Sequence, residues 1–189
     1  AAEANLLNYL WPLLIVVFSA LLPGHRLKAH HVAGALLGLA GTALLIIGRG
    51  GLGEGFSPGH LLGYAAAVGC ALFWAVYSVT ARLLPHAPTE AVAGFCLATA
   101  ALALICHLAV ETTVWPAGLV EWLAIVAMGI GPVGAAFYLW DVGMKRGDIQ
   151  VLGAASYAAP VISTLALVAF GYAEVSLVLA ASVALIVTG

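Results

Sequence analysis

The sequence predicts an all-α integral membrane protein, a helical bundle of seven spans. Three observations carry this. Hydrophobic residues make up 64% of the 189 residues and charged residues 7%, against about 25% charged in a soluble domain. Mean hydropathy is +1.13, more apolar surface than a water-soluble fold of this size could hide. The apolar residues fall into seven runs near the roughly 20 residues that a helix needs to cross a bilayer. The links between runs are short and hold most of the Pro, His and charge, so no stretch is left for a soluble domain.

The first run, 5–22, carries Asn8 and Pro12 near its head and ends in the basic stretch HRLKAHH. The second, 32–48, sets Gly34, Gly38 and Gly41 where another helix can approach closely, within the monomer or between subunits. The third, 60–83, places Gly63, Ala67, Cys70, Trp74 and Tyr77 at helical spacing. Small residues admit a neighbour there and the aromatics can face a solute; the bland alternative is an interfacial aromatic belt, less suited to Trp74, which sits deep in its run. The fourth, 91–110, offers only His107 near its end, a boundary residue.

The fifth run, 118–140, contains Gly129, Gly131, Pro132 and Gly134, a weak point where a helix bends or unwinds. Gly131, Gly134, Tyr138 and Asp141 form one stripe that continues to Lys145. An ionisable residue at membrane depth is a functional candidate, so Asp141 is a candidate for coupling. Asp141 and Lys145 are, however, four apart in the order that favours an ion pair, and a structural pair is the leading reading. The sixth run is 150–171 and the seventh 174–189. Cys70, Cys96 and Cys106 have no CxxC pairing and read as small apolar residues, implying neither disulfide nor metal. His25, His30 and His31 read as solvated. Gly48-x-Gly50-x-x-Gly53 matches a dinucleotide fingerprint but follows a membrane helix instead of a strand, so 49–59 reads as an external loop.

Lys and Arg set the orientation. The links after spans one, three and five hold Arg26, Lys28, Arg82, Lys145 and Arg146; those after spans two, four and six hold only Arg49, with Glu54, Glu111, Glu121 and Glu174. The first set is expected in the cytoplasm. Span one then enters from outside, as it would if an odd number of spans preceded it.

The chain also repeats itself. Asn8-Tyr9-x-x-Pro12 aligns without a gap on Ser156-Tyr157-x-x-Pro160, and the same offset sets Gly41 on Gly189. Span one runs inward and span six outward, so the two copies are inverted, a construction of secondary transporters. Residues 8, 12, 15 and 19 share a helical face, as do 156, 160, 163 and 167. A proline within a span frees a carbonyl that lipid cannot satisfy, so both faces are expected to point inward and to line a cavity.

The segments NYLWPLLIVVFSALLPG, ALFWAVYSVTARLL and GPVGAAFYLWDVGMKRGD…LGAASYAAPVIST resemble the EamA family of the drug/metabolite transporter superfamily, and within it the aromatic amino acid exporters. The resemblance implies a ten-span inverted-repeat transporter (5+5) with both ends cytoplasmic, of which this chain covers spans four to ten. Residues 1–48 would close the first repeat and 60–189 form the second. One departure is that Gly24 is followed by His25, where family repeats often carry Gly-Glu; Glu174 stands three residues after Gly171. The candidate substrate-binding set is Asn8, Tyr9, Trp11, Pro12, Trp74, Tyr77, Tyr138, Ser156, Tyr157, Pro160 and Ser163.

The implied activity is export of aromatic or other bulky amino acids across the inner (plasma) membrane by alternating access. No catalytic residue, metal, cofactor or nucleic acid is expected; the partners are a small-molecule substrate and the lipid bilayer, with the protein a monomer or homodimer. Two other readings stay open. One is a multidrug or nucleobase exporter on the same fold. The other is a membrane-embedded enzyme or non-transporting subunit, although the sequence has no HExxH, no GxSxG and no paired intramembrane acids.

Overall fold

The computed structural model of the chain describes residues 2–48, 58–172 and 174–189. Most of the loop 49–59, with Gly50 and Gly53 of the refused fingerprint, lies outside the described residues. The helices are α1 (Ala2–Asn8), α2 (Trp11–Phe18), α3 (Ala29–Gly48), α4 (Leu61–Leu83), α5 (Ala91–Val110), α6 (Leu119–Met128), α7 (Ala136–Arg146), α8 (Ile149–Ala155), α9 (Ala158–Ala169) and α10 (Leu177–Thr188). No strand occurs among the described residues. Six segments are long and apolar enough to cross a membrane: Glu3–Leu21, Ala29–Gly48, Pro58–Leu83, Ala91–Val110, Leu119–Arg146 and Ile149–Ala169. The seventh expected span is the 12-residue α10, shorter than the roughly 20 residues a crossing needs. Large apolar side chains such as Leu62, Phe73, Leu97, Leu108 and Ile130 are exposed, as lipid-facing helices require. The chain is a helical integral membrane protein.

Three of the six segments are interrupted, each beside a proline. Pro12 is the second residue of α2 and Pro160 the third of α9. The first turn of a helix is where a missing N–H costs nothing, so each proline starts a new helix and the chain breaks just before it, at 9–10 and 156–157. The Gly129–Gly134 weak point is a π-helical turn, Gly129–Ala135, with Pro132 inside it. A Cβ at Gly134 would sit 2.8 Å from the Gly129 carbonyl oxygen, so only glycine fits the wide turn. The segment continues past this turn to Arg146, six residues beyond the expected end.

The chain divides into two compact units, residues up to Leu83 with Asp148–Gly189, and Leu84–Gly147. This division does not follow the sequence halves, because 1–48 and 148–189 pack together. In the first unit α3 and α10 run antiparallel: Gly34 faces Gly189, and Gly41 faces the Ser182 carbonyl, where a Cβ would come within 2.9 Å. Glycine at these positions lets the two backbones approach where lipid provides no hydrophobic drive. Segments 2–21 and 149–169 are also antiparallel, since Gln150 Nε2 donates to Ser19 Oγ (3.0 Å) while Tyr157 Oη donates to the Tyr9 carbonyl (3.1 Å). Buried Val16, Ala35 and Tyr157 form one core cluster, and Leu45, Val161 and Leu179 another.

The helix ends are specified locally. Asp148 accepts from the amides of Gln150 and Val151 and caps α8; Ser176 accepts from Leu179 and caps α10. Gly24 and Gly171, each following a proline-bearing helix, have φ of +77°. At Gly171 the amides of Gly171 and Tyr172 bond the carbonyls of Val168 and Leu167, the Schellman arrangement that favours glycine. In the second unit the Pro85–Glu90 turn is tied to α7: Thr89 Oγ1 donates to Asp141 (2.7 Å) and Lys145 Nζ donates to the Ala87 carbonyl (2.9 Å).

Candidate functional site

The break in the first segment is built around a side chain 148 residues away. An uninterrupted helix would bond the Leu13 amide to the Tyr9 carbonyl. Here the hydroxyl of Tyr157 stands between them, accepting from Leu13 N–H (3.2 Å) and donating to Tyr9 C=O (3.1 Å). Pro12 removes the neighbouring bond outright. The backbone groups freed at the break are thereby satisfied by protein, as a lipid environment demands. Tyr157 is fully buried and its ring fills the space that a Cβ at Gly38 would occupy. The structure therefore places Tyr157 as a wedge that holds the break open.

Around this crossing the two sides differ. On one side Gly153 packs hard against the other segment; a Cβ there would meet Val16, Ile15 and the Pro12 carbonyl at 3.1–3.3 Å. Pro12, Ile15 and Ser19 are buried, so the face expected to line a cavity is filled by α8. On the other side a cavity of about 160 Å³ opens, lined by Asn5, Tyr9, Leu45, Ile46, Pro160, Ser163 and Thr164. Its polar wall consists of an amide, a phenol and two hydroxyls, one of which, Thr164 Oγ1, donates back to the Pro160 carbonyl (2.8 Å). Among the expected residues, Tyr9, Pro160 and Ser163 come together here. Ser156 instead spends its hydroxyl on the Leu152 carbonyl (2.7 Å), and Asn8 is half-buried beside the break.

A second grouping lies in the same unit. Trp11 at the start of α2 stands edge-on to Trp74 of α4, with centroids 6.3 Å apart and planes at 88°; the Tyr77 ring lies 5.5 Å from that of Trp74, tilted by 34°. Edge-to-face and offset rings are the favoured aromatic geometries. All three are half-buried, so ring surface remains available to a flat apolar solute. The α4 backbone is continuous past them, and Ser78 Oγ closes back on the Trp74 carbonyl (2.8 Å).

Tyr138 and Asp141 belong to the other unit. Tyr138 is half-buried on α7. Asp141 is buried, paired with Lys145 Nζ at 2.6 Å and bonded by Thr89. Both partners stabilise the charged carboxylate, and the geometry is that of a structural ion pair. Among the described residues no group of three His, Cys, Asp or Glu could hold a metal.

Sequence reasoning missed Asn5, Thr89 and Thr164. Asn5 was recoverable, since the 148-residue offset sets it on Gly153, and a polar residue aligned with a glycine marks a place where the copies differ. Thr89 and Thr164 carried no such signal, because their partners are fixed by tertiary packing and backbone geometry.

Comparison with known proteins gives these features a family. Residues 61–189 match the EamA-like transporter family. The aromatic amino acid exporter YddG of Ancylobacter novellus is 62% identical over 188 residues, covering 100% of this chain and 65% of its own length. Those of Salmonella typhimurium and Escherichia coli are 29% and 25% identical, each covering 87% of this chain and 57% of their own length. A crystal structure 60% identical to the chain superposes with a TM-score of 0.92, covering 99% of this chain and 64% of that one. The chain thus spans 57–65% of the length of these relatives. It belongs to the EamA-like transporter family.

Proposed function

We propose that the protein exports aromatic amino acids from the cytoplasm, as a ten-span transporter of two inverted five-span repeats in the cytoplasmic membrane. α10 is then the tenth span. The observation that carries this is the crossing of the two broken segments. Tyr9 and Tyr157, equivalent under the 148-residue offset, touch each other, which supports an inverted pair with its axis at this crossing. The Gly34–Gly189 contact maps by the same offset onto the Gly41–Ser182 contact, and both occur. The tight packing of Gly153 on Pro12, Ile15 and Val16 maps onto Asn5 facing Pro160, Ser163 and Thr164, where the cavity lies.

One half of the crossing is therefore shut and its symmetry mate open. With the orientation set by Lys and Arg, the open half faces outward. Exchanging the two conformations between the repeats would open the inner half and close the outer one, which is alternating access built from the repeat itself. The Trp11–Trp74–Tyr77 rings supply contact area for an aromatic side chain, and Asn8, Tyr9 and Ser163, in the same unit, supply neutral polar groups that orient it. Pro12, Tyr157 and Pro160 fix the break around which the segments move. Asp141 is assigned to the ion pair and not to coupling.

The names of the relatives support this substrate class. The test uses the full-length protein in liposomes loaded with labelled tryptophan or phenylalanine. Wild type should release both, and Trp74→Ala should cut release at least tenfold with normal protein yield. Wild-type release no faster than from empty liposomes would refute the reading.

A further inference from the structure

A second cavity, of about 500 Å³, lies in the other unit, between the Pro85–Glu90 turn and the end of α7. Its volume falls in the range of roughly 300–1,000 Å³ typical of small-molecule sites. Four ionisable side chains line it, His86, Glu90, Lys145 and Arg146; Lys145 is held by Asp141 and the Ala87 carbonyl, and the side chains of the other three have no hydrogen bond or ion pair to another described residue. Two can donate to an anion; the third is a carboxylate.

The walls are built firmly. Pro85 and Pro88 stiffen the turn, Lys145 holds it through the Ala87 carbonyl, and Thr89 reaches the Asp141 carboxylate. The buried Asp141–Lys145 pair is the rivet between the turn and α7. Because Lys145 is already paired with Asp141, the groups left to a ligand are one guanidinium, one imidazole and one carboxylate. That set matches neither a simple anion nor a simple cation. It matches a molecule carrying both charges a short distance apart.

We propose that this cavity binds the zwitterionic head of a free α-amino acid, with the carboxylate on Arg146 and His86 and the ammonium on Glu90. It rests on the export reading, because the Lys/Arg asymmetry puts this end of the helices on the face where an exported amino acid arrives. The site needs only the head group and so accepts any side chain. The rings of Trp11, Trp74 and Tyr77 then select among side chains in the other unit.

The test is uptake of labelled phenylalanine by inside-out vesicles containing the full-length protein, with two competitors: phenylalaninamide, which lacks the carboxylate, and N-acetylphenylalanine, which lacks the ammonium. Arg146→Gln should raise the KM for phenylalanine about five- to tenfold and abolish the preference for phenylalanine over phenylalaninamide. Glu90→Gln should abolish the preference over N-acetylphenylalanine and leave the other intact. Arg26→Gln removes the same charge from the same membrane face outside the cavity, and should leave KM and both preferences unchanged.

Saturable wild-type uptake with both preferences intact in Arg146→Gln and Glu90→Gln would overturn this assignment and leave the export reading standing. Absence of wild-type uptake would overturn both. Effects of the two substitutions seen only in vesicles containing phosphatidylethanolamine would assign the cavity to a lipid head group instead, and would likewise overturn the proposal.

Discussion

Replacing Tyr157 by Phe removes a single oxygen from the crossing of the two broken segments. The ring stays against Gly38, so packing is retained and only the two hydrogen bonds are lost, Leu13 N–H to the hydroxyl (3.2 Å) and the hydroxyl to Tyr9 C=O (3.1 Å). Bonds between membrane helices contribute about 0.6–1.7 kcal/mol each, so their loss should cost roughly 1–3 kcal/mol. The chain has one partial remedy, which is to straighten the break and return the Leu13 amide to the Tyr9 carbonyl. That recovers some stability but removes the bend.

Reversible unfolding of the full-length protein in mixed detergent measures the energy, and hydrogen exchange at the Leu13 amide reports the local bond. Tyr9→Phe is the matched control, because the Tyr9 hydroxyl has no hydrogen bond to a described residue; its stability should stay within about 0.5 kcal/mol of wild type. Equal stability of Tyr157→Phe and wild type, with unchanged exchange at Leu13, would refute the inserted hydroxyl.

Asp141→Asn removes the counter-charge of the Lys145 ammonium, whose side chain is 9% exposed, and leaves it the Ala87 carbonyl. It should cost about 3 kcal/mol by the same unfolding measurement, the low end for a broken buried pair because this pair sits near an aqueous face. Asp141→Leu with Lys145→Met should recover most of that. Gly38→Ala drives a methyl into the Tyr157 ring and should destabilise by about 1–3 kcal/mol. Gly94→Ala, on α5 where nothing lies within 4 Å of the added carbon, should be neutral or stabilising by up to about 1 kcal/mol.

The legible parts of the fold were those written in local chemistry. Tyr-x-x-Pro at 9–12 and 157–160 marked where a helical hydrogen bond is lost, because a proline acts on its own turn, and both breaks lie there. The cluster Gly129–Gly134 marked a weak point in its span, and the π-helical turn lies there. Asp141 and Lys145 were readable as a pair because four residues is one helical turn. Partners distant in sequence were not readable. Tyr9 and Tyr157 have the same neighbours in sequence, yet one lines a cavity and the other is a buried wedge, and what separates them is Gly38 and the opposite backbone. Trp11, Trp74 and Tyr77 were each identifiable as candidates, but their stacking depends on how α2 meets α4. The filling of the Pro12 face by α8 was likewise settled by packing, which hydropathy does not encode.

The central claim is that export requires the outer side of the crossing to close over the cavity between Asn5 and Ser163. Cysteines at those two positions, in a full-length background with Cys70, Cys96 and Cys106 replaced by Ala, measure it directly. The account predicts that oxidation forms the cross-link faster when phenylalanine is present, that the cross-linked protein no longer exports, and that reductant restores export. A cross-linked protein that exports phenylalanine at the uncross-linked rate would contradict it.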